Sequence, residues 1–88
     1  MTEHEIVEAQ RKALAAQQLK DNEIFKTLFR DMELALLEQM KWISPDDPRF
    51  IAFGRHLHAL GDIETYIEAY IESGMSAELY LKQFTAPN

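Results

Sequence analysis

Cysteine is absent from the 88 residues, and glycine and proline occur three times each. Without cysteine there are no disulfides and no thiolate metal sites, which leaves the compartment open. The three glycines, Gly54, Gly61 and Gly74, form no phosphate-cradling loop. Long apolar runs are missing too. Charged residues interrupt every hydrophobic stretch well short of the ~18 residues that a membrane span needs, so no membrane partner is expected. The opening Met1-Thr2-Glu3-His4-Glu5 is not basic and leads into no apolar core, so no signal peptide is expected and the expected location is the cytoplasm. Positive charge is scarce: nine Lys and Arg face fifteen Asp and Glu, for a net charge of −6. Such a chain repels phosphate backbones, so no binding of nucleic acid by a basic face is expected.

What is present is an ordinary folding composition, 47% hydrophobic and 27% charged. A chain this short is expected to form a single small domain spanning residues 1–88. Its core is thin, and objects of this kind often gain stability by oligomerising or by docking on a partner.

The strongest organising signal is Ser44-Pro45-Asp46-Asp47-Pro48, a break between two stretches that each carry a helical apolar stripe. Pro45 pushes Ser44 out of the α region, which ends the preceding helix near Ile43. Asp46 or Asp47 then caps the next helix, with Pro48 at its first position, where the missing N–H costs nothing. A connection this short forces antiparallel neighbours. Upstream, Asp21-Asn22 supplies an N-cap candidate, and Phe25, Phe29, Met32, Leu36 and Ile43 recur at steps of three, four or seven, with Leu28 and Met40 widening the stripe. Downstream, Phe50, Phe53, Leu57, Leu60, Ile67 and Ile71 step by three and four, with Glu64 in one vacated slot.

Thr2 and Glu5 have the spacing of a capping box. The helix they open is rich in strong helix formers but thinly striped, with Ile6, Ala9, Ala13 and Ala16 along one face. It either packs on the hairpin or projects as an arm over residues 1–20. Gly74 reads as a left-handed helix terminator, Ser76 as the cap of a short last helix whose Ala77, Tyr80, Leu81 and Phe84 fold back, and 85–88 as a frayed tail. The expected fold is therefore all-α: an antiparallel hairpin of about 22–43 and 47–73, an N-terminal helix of about 2–20, and a short C-terminal helix of about 76–84.

Several groupings invite a functional reading. Gly54 and Gly61, seven apart, share a helix face, and each costs ~1 kcal/mol against alanine in a helix interior. They mark close contact with another helix, either within the monomer or from a partner. Asp62, Glu64, Glu68 and Glu72 form a run with no interleaved lysine, and residues 62–88 hold five acids against Lys82 alone. The run is either a docking strip for a basic partner or a solvated face. Trp42, Tyr66 and Tyr70 fall off the main stripes, either as an exposed aromatic contact patch or as residues covered by the first or last helix. The candidate partner-binding residues are thus Trp42, Gly54, Gly61, Glu64, Tyr66, Glu68, Tyr70 and Glu72.

His56 and His58 lie about 200° apart around a helix and cannot share one metal, while His58 and Asp62 make an i, i+4 surface pair. No nucleophile elbow or His-Glu-x-x-His is present. The acids of the second helix (Asp31, Glu33, Glu38) lack the grouping that carboxylate–metal pyrophosphohydrolases use to answer Glu64 and Glu68. The chain is therefore not expected to be an enzyme or to hold a cofactor or metal.

From Asn22 through Leu81 the order of features resembles a group of small helical proteins of tailed bacteriophages and prophages, whose genes lie among those for virion structure and assembly. The resemblance is carried by Asn22-x-Ile24-Phe25, an acidic amphipathic helix ending near Trp42, Pro45-x-Asp47 with Arg49 at the turn, the Leu57/Leu60 ladder, and Gly74-x-x-Ala77-x-x-x-Leu81. The chain departs from that pattern in having Phe50 and Phe53 early in the third helix and a short tail. The resemblance implies a role in particle assembly, in the host cytoplasm or the virion, with no catalytic residue to carry over. The function expected is a non-enzymatic interaction module that binds a protein partner or itself through the third helix. The alternative is an acidic regulator that occupies the basic, nucleic-acid-binding groove of another protein.

Overall fold

The computed structural model describes residues 1–85, and all of its regular structure is helical: α1 (Glu3–Asp21), α2 (Glu23–Lys41) and α3 (Pro48–Thr85). No strand occurs among the described residues. Of the tail expected at 85–88, Thr85 closes α3 and 86–88 lie outside the described residues.

The helix boundaries follow local chemistry. Thr2 caps α1 by accepting the Glu5 N–H on its hydroxyl at 3.1 Å. The return arm of the box differs from expectation, because the Glu5 carboxylate accepts the Thr2 hydroxyl proton (3.2 Å) rather than a backbone N–H. A single residue, Asn22, separates α1 from α2; its backbone is extended and its Oδ1 accepts the Phe25 N–H at 2.9 Å. After Lys41, Trp42 serves as C-cap, and the Asp47 N–H closes the turn on the Ser44 carbonyl at 2.9 Å. Asp47 is the cap of α3, accepting the Arg49 N–H at 2.8 Å.

The expectation at Gly74 is overturned. Among the described residues none, glycine included, has a positive φ, and α3 runs through Gly74 and Ser76 without interruption for 38 residues. There is no separate helix at 76–84. Gly74 is buried, and a Cβ there would collide with the Cβ of Ala13. The glycine is therefore a packing residue, chosen for its lack of a side chain rather than for its conformational freedom.

The chain forms two compact units, and α3 contributes to both. In the unit of residues 1–21 and the chain from Tyr66, α1 lies antiparallel along the later part of α3, with Ala13 against Gly74 and Lys20 against Glu68. The thin stripe read from sequence is the buried one: Ile6 and Ala16 are buried, and Ala9 and Ala13 half-buried. Ile67 and Ala77 of α3 are buried in the same unit, the latter wholly. In the unit of residues 22–65, α2 and the first part of α3 form the antiparallel hairpin, with Met40 beside Gly54. Phe25, Phe29, Leu36, Met40 and Ile43 face Phe50, Phe53, Leu57 and Leu60. Of these only Leu60 is buried, and α2 has no buried residue at all.

Candidate functional site

Two helices in contact can cover only one stripe on each other, and in the 22–65 unit each helix carries apolar residues beyond that stripe. On α2 the surplus residues are Ile24, Leu28, Met32 and Ala35, continued by Gln39 and Trp42, at steps of four and three. On α3 they are Ala52, Ala59 and Ile63, with the imidazole of His56 between the first two, again at steps of four, three and four. All ten are exposed, with Ile24 at 75% and Trp42 at 79%. The two surplus stripes border one groove of about 420 Å³, lined by Met32, Ala35, Leu36, His56, Ala59 and Leu60. Neither stripe contains an Asp, Glu, Lys or Arg. This is an uncharged face on a chain with 27% charged residues. Grooves of the other unit, by contrast, are edged by Glu78 or by Arg11 and Lys12.

Charge begins at the margins of the face. Asp31 and Glu38 follow its outer edge on α2, and Arg55 lies at its outer edge on α3. Glu38 accepts the Trp42 indole N–H at 2.9 Å and lies 3.7 Å from the Lys41 ammonium. The indole hydrogen bond, with the Lys41 charge after it, holds the Glu38 carboxyl below its ordinary pKa. Arg55 has no ion pair among the described residues.

The residues singled out from sequence are distributed between the two units. Trp42, Gly54, Gly61 and Glu64 belong to the hairpin unit, and Tyr66, Glu68, Tyr70 and Glu72 to the other. Trp42 is exposed at the edge of the uncharged face. A Cβ on Gly54 would rest at 3.9 Å from Met40 Cε, an ordinary contact, and one on Gly61 would meet nothing within 4 Å. Close approach inside this chain falls on Gly74 instead. Glu64 lies against Glu33, and the loss of water around it, followed by the hydrogen bond and charge of that second carboxylate, raises its pKa.

The acidic run gains a cation that its own helix does not supply. Glu68 meets Lys20 of α1 at 2.6 Å, and that contact raises the lysine's pKa. Lys12 of α1 stands 5.7 Å from the centre of the Tyr70 ring. Tyr66 (65% exposed) and Glu72 face solvent. The His58–Asp62 pair forms at 3.5 Å on the surface.

The sequence held a signal for the uncharged face that the ladder reading absorbed into the core. The spacing of Met32 and Leu28 places them on the inner stripe of α2, yet both are exposed (44% and 57%). Met32 and Ala35 flank Leu36 on the outer side, and Ala59 flanks Leu60 in the same way. Reading both helices for a second stripe at heptad-like spacing recovers the face.

Among the described residues no three His, Asp or Glu side chains gather as a metal-holding group, and no helix is long and apolar enough to cross a membrane. Comparison of the chain with protein families, with curated proteins and with solved structures finds no match.

Proposed function

We propose that this chain is a non-enzymatic protein–protein interaction module that works through the hairpin of α2 and the first part of α3, in phage particle assembly as a morphogenesis or minor virion protein. The interaction reading is carried by the uncharged, groove-bearing face of Leu28, Met32, Ala35, His56, Ala59 and Ile63, which neither helix of the hairpin covers. Such a face is costly to leave in water and is the usual mark of a contact surface. The assembly setting rests on the resemblance over Asn22–Leu81 described above.

A second reading, an acidic regulator seated in a basic groove, draws on the exposed Asp62, Glu72 and Glu78. It is weakened by Lys20, which already neutralises Glu68, and by Glu64, which is turned toward Glu33.

Affinity capture from lysates of the source cells, read by mass spectrometry, separates the two. The face reading expects Leu28→Glu to lose the captured protein or the chain's own copies, while Glu68→Lys with Glu72→Lys retains them at high salt. Loss in the lysine variant with retention in Leu28→Glu would turn the assignment to the acidic regulator. Capture of nothing by the wild type, together with strict monomer behaviour, would remove both.

A further inference from the structure

We propose that the occupant of the uncharged face is a second copy of this chain, so that two α2–α3 hairpins lay their faces together as a four-helix bundle. The inference rests on the interaction-module reading and names the partner of that same face.

Area is the first argument. The exposed parts of the two surplus stripes amount to something on the order of 800 Å², which is about one partner's share of a standard stable interface. The hairpin's own core contains a single buried side chain, Leu60, and even that is 6% exposed, so the same residues that would make the dimer also complete the core that the monomer lacks.

Shape is the second. The groove floor is formed by Leu36 and Leu60, and its mid-length borders alternate the small Ala35 and Ala59 with the larger Met32 and His56, while Leu28 and Ile63 stand toward one end. Low borders beside taller ones are what a face needs to receive its own ridges.

Charge is the third. A two-fold axis running along the hairpin sets α2 of one copy over α3 of the other. Arg55, exposed and without an ion pair among the described residues, then comes beside the partner copy's α2 margin at the turn end, where Glu38 and the Trp42 indole sit. The face itself offers no acid to a basic protein and no cation to a nucleic acid. A membrane surface would call for a rim of lysines and arginines, which the Asp31 and Glu38 margin does not provide. Each copy carries −6, so the two repel at long range while their contact surface is apolar. Self-association through this face therefore strengthens as salt rises, the opposite of docking by the acidic run.

The test is sedimentation equilibrium and light scattering of the full chain over a wide concentration range, at low and high salt, with emission of Trp42 as a second readout. The expected result is a species of twice the 10.2 kDa chain mass, favoured by salt, with Trp42 emission shifting to the blue as it forms. Ala59→Glu, an exposed helical position that leaves the fold intact by circular dichroism, weakens the dimer about a hundredfold. Arg55→Glu weakens it about tenfold, and Glu38→Arg in the same chain restores most of that loss. A wild type that stays monomeric up to millimolar concentration overturns the dimer. If Ala59→Glu then also abolishes capture of another protein, or binding to neutral phosphatidylcholine vesicles, the face belongs to that occupant. Loss of protein capture would leave the interaction-module reading standing without the dimer, whereas loss of vesicle binding alone would remove both. A dimer indifferent to Ala59→Glu also overturns the proposal, because its interface lies elsewhere.

Discussion

Gly74 and Ala13 face each other across the α1–α3 seam so closely that a methyl group on Gly74 would occupy the space of the Ala13 methyl. The backbone carbonyl of Ala9, 3.4 Å from the same point, and Ala13 Cα at 3.7 Å close off the alternatives. Gly74→Ala therefore forces the helices apart. Overpacking of this kind costs about 1–3 kcal/mol, more than the roughly 1 kcal/mol that alanine returns in helix propensity. Thermal or urea unfolding should show net destabilisation, and Ala13→Gly in the same chain should recover part of it.

Gly61 makes the opposite case on the same helix. Nothing lies within 4 Å of an added Cβ and its φ is helical, so alanine removes backbone freedom from the unfolded chain at no steric expense. Gly61→Ala is expected to stabilise by about 0.5–1 kcal/mol. A shift of the urea midpoint upward, with unchanged slope, is the confirming result; destabilisation would mean that Gly61 meets something outside the monomer.

These two glycines show where the sequence was legible and where it was not. Residues that act on their own backbone could be read directly: Asn22 and Asp47 as caps, and Ser44-Pro45 as a stop. The ladder of Phe53, Leu57 and Leu60 fixed the inner face of α3 for the same reason, since phase is local. Gly74 could not be read, because a left-handed C′ glycine and a glycine that admits a neighbouring helix are the same letter in the same slot. What distinguishes them is Ala13, sixty-one residues earlier. The cation for Glu68 was hidden in the same way, because Lys20 comes from another helix. The uncharged face was hidden differently. Met32 and Leu36 are both apolar and adjacent in phase, and only packing shows that Leu36 is half-buried in the hairpin while Met32 stands exposed at the border of its groove.

Asp47 gives a prediction with a pH signature. Its carboxylate accepts from the Arg49 guanidinium at 2.7 Å and from the Arg49 N–H at 2.8 Å, which lowers its pKa from 3.8 to about 2. A carboxyl with a depressed folded pKa stabilises the fold above its unfolded value and loses that contribution as pH falls through the folded one. The wild type should therefore lose stability between about pH 4 and pH 2. Asp47→Ala should lower Tm by a few degrees at neutral pH and flatten that part of the curve, while Asp47→Asn keeps most of the cap. An Asp47→Ala variant with unchanged Tm would show that Pro48 alone starts α3.

Glu64 carries the opposite sign in an adjacent window. Its pKa is raised above 4.5 by loss of water and then by the neighbouring Glu33 carboxylate, so the fold prefers its protonated form. The stabilisation is fully present below pH 4.5 and disappears as pH rises through the folded pKa, leaving two adjacent carboxylates that repel. Glu64 is exposed, so solvent screening holds the penalty to a few tenths of a kcal/mol. Glu64→Gln, which keeps the shape and a hydrogen-bond donor toward Glu33, should match the wild type in Tm near pH 4 and exceed it by a degree or two at pH 7. Glu33→Gln should give a smaller gain, because it removes the repulsion but leaves the loss of water around Glu64, and the double variant should gain little more than Glu64→Gln alone. Equal Tm differences at pH 4 and pH 7 would mean that the substitution acts through helix propensity or packing and that the two carboxylates do not interact across the hairpin.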